Sequence, residues 1–101
     1  MSDELMPAYY IGRMEVLDQD KVDAYAAAAG PILEKYGGRA LAGSPSVRHL
    51  AGPEPEGSLI VVEFPSRQQA EAFWDDPDYQ EAAKLREGAL ELQLDLVEGE
   101  P

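Results

Sequence analysis

The run Leu59-Ile60-Val61-Val62-Glu63-Phe64-Pro65-Ser66 decides the fold. It opens with four consecutive aliphatic residues, the densest apolar stretch in the chain. A run this short, stopped by a proline, reads as a strand buried on both faces and not as a helix. Ser66-Arg67-Gln68-Gln69 follows, a capping-box pattern that opens a helix. A strand with two buried faces belongs in the middle of a sheet, so the remaining elements are arranged about it.

Upstream of it, Gly52-Pro53-Glu54-Pro55-Glu56-Gly57 is a turn-rich loop. Arg39 to Leu50 reads as a bent edge strand in two pieces, Arg39–Ala42 and Val47–Leu50, divided by Gly43-Ser44-Pro45. Asp18 to Tyr36 has helical period, with Val22, Tyr25, Ala29, Ile32 and Tyr36 on one stripe. Asp18 or Asp20 can cap its start, and Gly37-Gly38 supplies the stop. Gly30-Pro31 interrupts the stripe and predicts a kink or two short helices, because Pro31 has no amide proton and clashes with the carbonyl of Ala27. Ala8 to Leu17 reads as the first strand. Its odd positions Tyr9, Ile11, Arg13 and Glu15 carry the charge, so the even face is the one expected under helices. Residues 1–7 are expected to be frayed, leaving a single domain over 8–99.

Downstream, Ala70, Phe73 and Trp74 form a helical stripe that ends at Asp75-Asp76-Pro77. Pro77 suits a first helical position with Asp76 as its cap, so a new helix begins there, carries Tyr79, Ala82, Ala83, Leu85 and Arg86, and ends near Gly88. Leu90, Leu92, Leu94 and Leu96 then alternate with polar residues, the pattern of a one-sided strand. The order is β-α-β-β-α-β, a ferredoxin-like α+β fold with a four-stranded antiparallel sheet. Strands one and three lie in the middle, and both helical regions cover one face. The other face carries Tyr9, Ile11, Leu59 and Val61 beside Arg13, Glu15 and Glu63. That is too apolar to stay wet, and a second copy of the chain is the simplest cover.

Composition narrows the function. The 101 residues include twenty acids and eight bases, a net charge of −12. Phosphate binding needs clustered Lys and Arg, so neither nucleic acid nor an anionic membrane is an expected partner. There is no Cys, hence no disulfide and no thiolate metal site. The N-terminus lacks the basic and apolar segments of a signal peptide, and no apolar run approaches the ~20 residues of a membrane helix. The expected location is the cytoplasm. With one His and no phosphate loop, nucleophile elbow or zinc motif, no cofactor and no metal are expected.

Tyr9-Tyr10-Ile11-Gly12-Arg13, Tyr36-Gly37-Gly38-Arg39, Val62-Glu63-Phe64-Pro65-Ser66, Trp74, Asp76-Pro77-Asp78-Tyr79-Gln80 and Leu96-Val97-Glu98-Gly99 together resemble a bacterial domain-of-unknown-function family. It belongs to the dimeric α+β barrel superfamily, and the resemblance covers residues 8 to 99. It implies a ferredoxin-like protomer and a homodimer whose sheets face each other. It implies no reaction, since cousins in the superfamily include cofactor-free monooxygenases, lactone isomerases and polyketide cyclases.

Several side chains can carry chemistry. Glu63, a carboxylate in an apolar central strand, is a candidate general base with a raised pKa; it also reads as a structural ion pair with Arg13 or Arg39. Arg13 and Arg39 can clamp a carboxylate or stabilise an oxyanion, or can simply be solvated or paired. Tyr9, Tyr25, Tyr36 and Tyr79 are candidate pocket residues, with Tyr25 and Tyr36, at helical spacing, reading first as core. Trp74 either plugs the core or roofs one end of a cleft beside Tyr79. His49 reads as an edge-strand surface residue, or else as a base or haem ligand. The functional expectation is a small organic ligand in a cleft between sheet and helices. If catalysis follows, proton abstraction beside a carbonyl leads to isomerisation, cyclisation or oxygenation. The alternative is a non-catalytic dimeric module that binds a metabolite or a protein.

Overall fold

The computed structural model describes residues 6–44, 47–54 and 57–99. Its elements run β1 (Ala8–Val16), α1 (Gln19–Lys35), β2 (Arg39–Ser44), β3 (Ser58–Phe64), α2 (Arg67–Asp75), α3 (Pro77–Ala83), a 3-10 turn (Lys84–Arg86) and β4 (Leu90–Glu98). The sheet is antiparallel in the order β2-β3-β1-β4, so the two central strands are those the sequence places there. The first seven residues fall mostly outside the described part, but the Pro7 carbonyl accepts the Gly99 amide at 2.6 Å and ties the start of β1 to the end of β4.

Register fixes which side chains share a face. Tyr10 lies opposite Val62 and Leu96, and Ala8 opposite Phe64. This even face lies under the helices and forms the core with Ala29, Ala70, Phe73 and Tyr79. Its aromatic rings interlock: Tyr10 meets Phe64 edge-on at 4.9 Å, and Phe73 lies 4.3 Å from Tyr79. Gly12 belongs to the same face, where a Cβ would collide with the Gln93 carbonyl of β4; the strand needs a glycine because another backbone passes so close. The helix starts follow their caps. Asp18 accepts from the Lys21 amide, Ser66 from Gln69 and Asp76 from Asp78, so each satisfies an amide that the helix leaves without a partner.

Two local expectations are corrected. Pro31 does not split the first helix, which runs unbroken from Gln19 to Lys35. Pro31 and Ala27 both lie on its exposed side, where water can take the carbonyl that the proline leaves without a donor. The second strand is one piece and not two: Val47–Leu50 lies outside the sheet. The ladder is used up at Ser44 opposite Leu59, one residue from the start of β3, so no strand is left for Val47–Leu50 to pair with. Pro45, the expected divider, lies outside the described residues. The bend of the edge falls instead at Leu41, an extra residue between the Ala40–Val62 and Ala42–Val61 pairs. His49 is therefore not on a strand; its Nε2 lies 2.7 Å from the Gly52 carbonyl in a local turn.

Candidate ligand-binding site

The structure distributes the candidate residues over the two sides of the sheet. On the open side, the Arg39 Nε donates to Glu63 Oε1 at 3.0 Å and the Tyr9 hydroxyl donates to Oε2 at 3.4 Å. Tyr9 and Arg39 are the residues that flank Glu63 across its two ladders, so register alone brings the three together. Arg13 shares this face but lies opposite Leu59, four residues along β3 from Glu63 and roughly 13 Å away at the usual strand rise. Its guanidinium reaches the Gly57 carbonyl at 3.4 Å instead.

Tyr36, Trp74 and Tyr79 stand on the helix side. Tyr36 donates to Asp76 at 2.5 Å, and Lys35 lies 3.7 Å from the same carboxylate. These contacts, with the Asp78 amide at 2.7 Å, satisfy a buried acid where α2 gives way to α3. The Tyr36 hydrogen bond, then the Asp78 amide, holds the Asp76 carboxyl below its usual range; the same bond, then burial, pushes the Tyr36 phenol up. Tyr36 is thus a joint between helices. Tyr79 is fully buried and is a core residue that also lines a cavity.

Trp74 is different. It is 39% exposed although it ends a helix packed on the sheet, and it stacks edge-on to Tyr10 at 6.2 Å and tilted to Tyr79 at 5.5 Å. With Tyr10, Leu94 and Leu96 it walls a cleft of about 240 Å³ at the β4 edge, and Glu71 and Asp75 stand at its rim. Glu71 is held by Arg67 at 2.9 Å. A second, largely apolar cavity of about 210 Å³ lies deeper, between the sheet and α1, lined by Tyr25, Ala29, Leu33, Val62 and Phe73. The two spaces share Tyr10 and Leu94 as walls. Tyr10 is the hinge residue of this arrangement: its hydroxyl is donated to the Ala70 carbonyl, and burial, then the fields of Tyr79, Asp75 and Glu71, push its phenol up, so it remains a proton donor.

Sequence reading assigned Tyr10 to the first strand and Arg86 to a helical stripe without giving either a place in the site. The signals were present. Tyr10 is the one aromatic on the even face of the first strand, and Arg86 follows Tyr79 and Ala82 on a buried stripe, where an arginine is out of place. Among the described residues no group of three or more His, Asp or Glu is placed to hold a metal ion, and no helix is long and apolar enough to cross a membrane.

A four-stranded antiparallel sheet with helices on one face and cavities beneath them defines a ferredoxin-like α+β protein. Residues 7–100 match the family described as Domain of unknown function (DUF1330), and the chain belongs to that family. No curated protein matches the chain. Among solved structures it is similar to RPA0582, a protein of unknown function from Rhodopseudomonas palustris. The two share 22% identity at a TM-score of 0.77, over 94% of this chain and 83% of that one. It also resembles SnoaB, a cofactor-independent oxygenase from Streptomyces nogalater, with 9% identity and a TM-score of 0.63 over 94% of each chain. A dimeric ferredoxin-like protein of unknown function from Bacteroides fragilis is similar at 14% identity and a TM-score of 0.55, over 91% of this chain and 95% of that one. At these identities the likeness is one of fold.

Proposed function

We propose that the protein is a homodimeric module that binds a small organic molecule between its sheet and helices, in the two adjoining spaces walled by Tyr10 and Leu94. The observation that carries this reading is Trp74: an aromatic that is 39% exposed beside a cleft, on an element whose other aromatic, Phe73, is buried. Exposed aromatic surface bordering a concave, mostly apolar space is what a small ligand covers. The dimer rests on the opposite face, where Ile11, Leu41 and Val97 are each more than a third exposed. A related fold in a dimeric protein supports the same assembly.

A second reading places chemistry on the open face. Glu63 would act as a base toward a substrate enclosed between two protomers, with Arg39 stabilising the developing oxyanion. The convergence of Tyr9 and Arg39 on Glu63 supports it. The first reading is preferred because Glu63 is already paired with Arg39, and the concave spaces lie on the other side of the sheet.

The Trp74→Phe variant separates wall from plug. A wall residue leaves the melting temperature nearly unchanged, and wild-type indole emission is quenched readily by acrylamide until a ligand shields it. Native mass spectrometry of freshly purified protein shows such a ligand directly. Resistance to acrylamide in the ligand-free protein, with a loss of about 1–3 kcal/mol of stability on replacement, would make Trp74 a core plug and remove the carrying observation.

A further inference from the structure

Arg86 closes the 3-10 turn after α3 and turns its side chain inward. Its guanidinium carbon lies 5.3 Å from the centroid of the Tyr25 ring, and Nη2 donates to the Tyr79 hydroxyl at 3.4 Å. Its Nε is buried with no hydrogen-bond acceptor. Among the described residues no carboxylate forms an ion pair with it, in a chain that carries twenty acids. Arg86 as a whole is half-buried, but its Nε lies where an arginine donor is ordinarily paired, so that donor is unspent.

The two tyrosines add another donor. Their hydroxyls are 2.9 Å apart, and they make one bond between them from two phenolic protons. Whichever hydroxyl donates, no further hydrogen bond among the described residues takes the proton of the other, and Tyr79 in addition accepts from Arg86. Burial and the bond to Tyr79 push the Tyr25 phenol up, which keeps it protonated and able to donate. Both tyrosines line the inner cavity, whose remaining walls are chiefly apolar. The two hydroxyls therefore border a space shaped for hydrocarbon, and the Arg86 guanidinium stands behind them, outside the cavity lining but within 3.4 Å of the Tyr79 hydroxyl.

We propose that Arg86, Tyr79 and Tyr25 form a carboxylate anchor, and that the ligand is a monocarboxylic acid whose aromatic or branched body fills the inner cavity toward Tyr10. The proposal rests on the ligand-binding reading above and names the class of molecule. One guanidinium balances one negative charge, so a phosphate dianion would remain half-compensated in a strongly acidic protein. At the outer end Glu71 and Asp75 disfavour a second carboxylate and set the direction in which the molecule lies.

Three probes of one shape test it: phenylacetate, phenylacetamide and phenethylamine, which place an anion, a neutral amide and a cation on the same benzyl body. Calorimetry should find phenylacetate bound on the order of tenfold or more tighter than the other two, as expected for charge-assisted hydrogen bonds. Arg86→Gln should abolish the preference. Tyr25→Phe, which keeps the ring and the packing, should weaken phenylacetate alone by a few-fold, and it serves as the test should Arg86→Gln fail to fold. Equal binding of the three probes, or phenylacetate binding unchanged in a folded variant, overturns the anchor while leaving a pocket in place. Failure of all three to bind also overturns it, with an ordered water as the partner of Arg86. The wider ligand-binding reading falls separately, if native mass spectra show no carried molecule and Trp74 is shielded in the free protein.

Discussion

The two faces of the sheet are built from alternate residues of the same strands, yet they have opposite characters. On the helix side, Ala8, Tyr10, Val62 and Phe64 are buried and their aromatic rings are stacked with Phe73. On the other side, the neighbours Tyr9, Ile11, Val61 and Glu63 remain partly exposed, held only by the sheet and by the Glu63–Arg39 pair. The first face satisfies itself within one chain. The second has strand-core composition without a covering layer. On the proposed reading, the contrast divides stability and ligand binding, on the helix side, from assembly, on the open side.

The strongest way to break that assignment is to shorten a side chain on each face. Phe64→Ala empties a fully buried site and should cost about 3–5 kcal/mol, a large part of the stability of a small domain. Val61→Ala, one strand position within the same run but turned to the open face, should stay below about 1 kcal/mol in urea denaturation at concentrations where the protein is monomeric. Equal losses would mean that the open face is as well packed within the protomer as the helix face.

A smaller effect separates the two acids. Asp76 is buried between helices with its carboxyl held low by Tyr36 and the Asp78 amide, whereas Glu63 is in an exposed ion pair. A depressed folded pKa contributes stability that is complete above the unfolded value of about 3.9 and is lost as pH falls through the folded one. The Tyr36 phenol, raised by the same bond, contributes below about pH 10 and loses this as pH rises through its folded value. Asp76→Asn keeps an oxygen for the cap, so it should flatten both limbs of the stability–pH curve with little change in helix content. Glu63→Gln should cost under about 1 kcal/mol in the monomer, and that loss should fade with added salt. A salt-insensitive loss at Glu63 would place it in a buried network.

Much of this arrangement was legible in the sequence, because period and punctuation act locally. The alternation of β1 and β4 fixed their inward faces, and Asp76-Pro77 marked the break between α2 and α3 at the correct residue. Pro31 misled because its cost depends on what the opposite carbonyl meets, and here that carbonyl faces outward. Val47–Leu50 misled because strand propensity says nothing about whether a partner strand remains. The site was less legible than the fold. Glu63 and Trp74 were grouped around one cleft, but strand parity already places Glu63 with Tyr9 and Arg39 on the far side of the sheet from Trp74. Arg86 emerges only when helix packing shows which stripe is buried and that no acid follows it in.

Sedimentation equilibrium at micromolar concentration tests the division between the faces most directly, on the wild type and on Ile11→Asp, which puts a charge at the centre of the open face. The wild type should sediment at twice the 11.0 kDa chain mass. The variant should sediment at 11.0 kDa with its far-ultraviolet circular dichroism unchanged, since Ile11 makes no part of the helix-side core. A monomeric wild type, or a variant that stays dimeric while folded, would contradict the account.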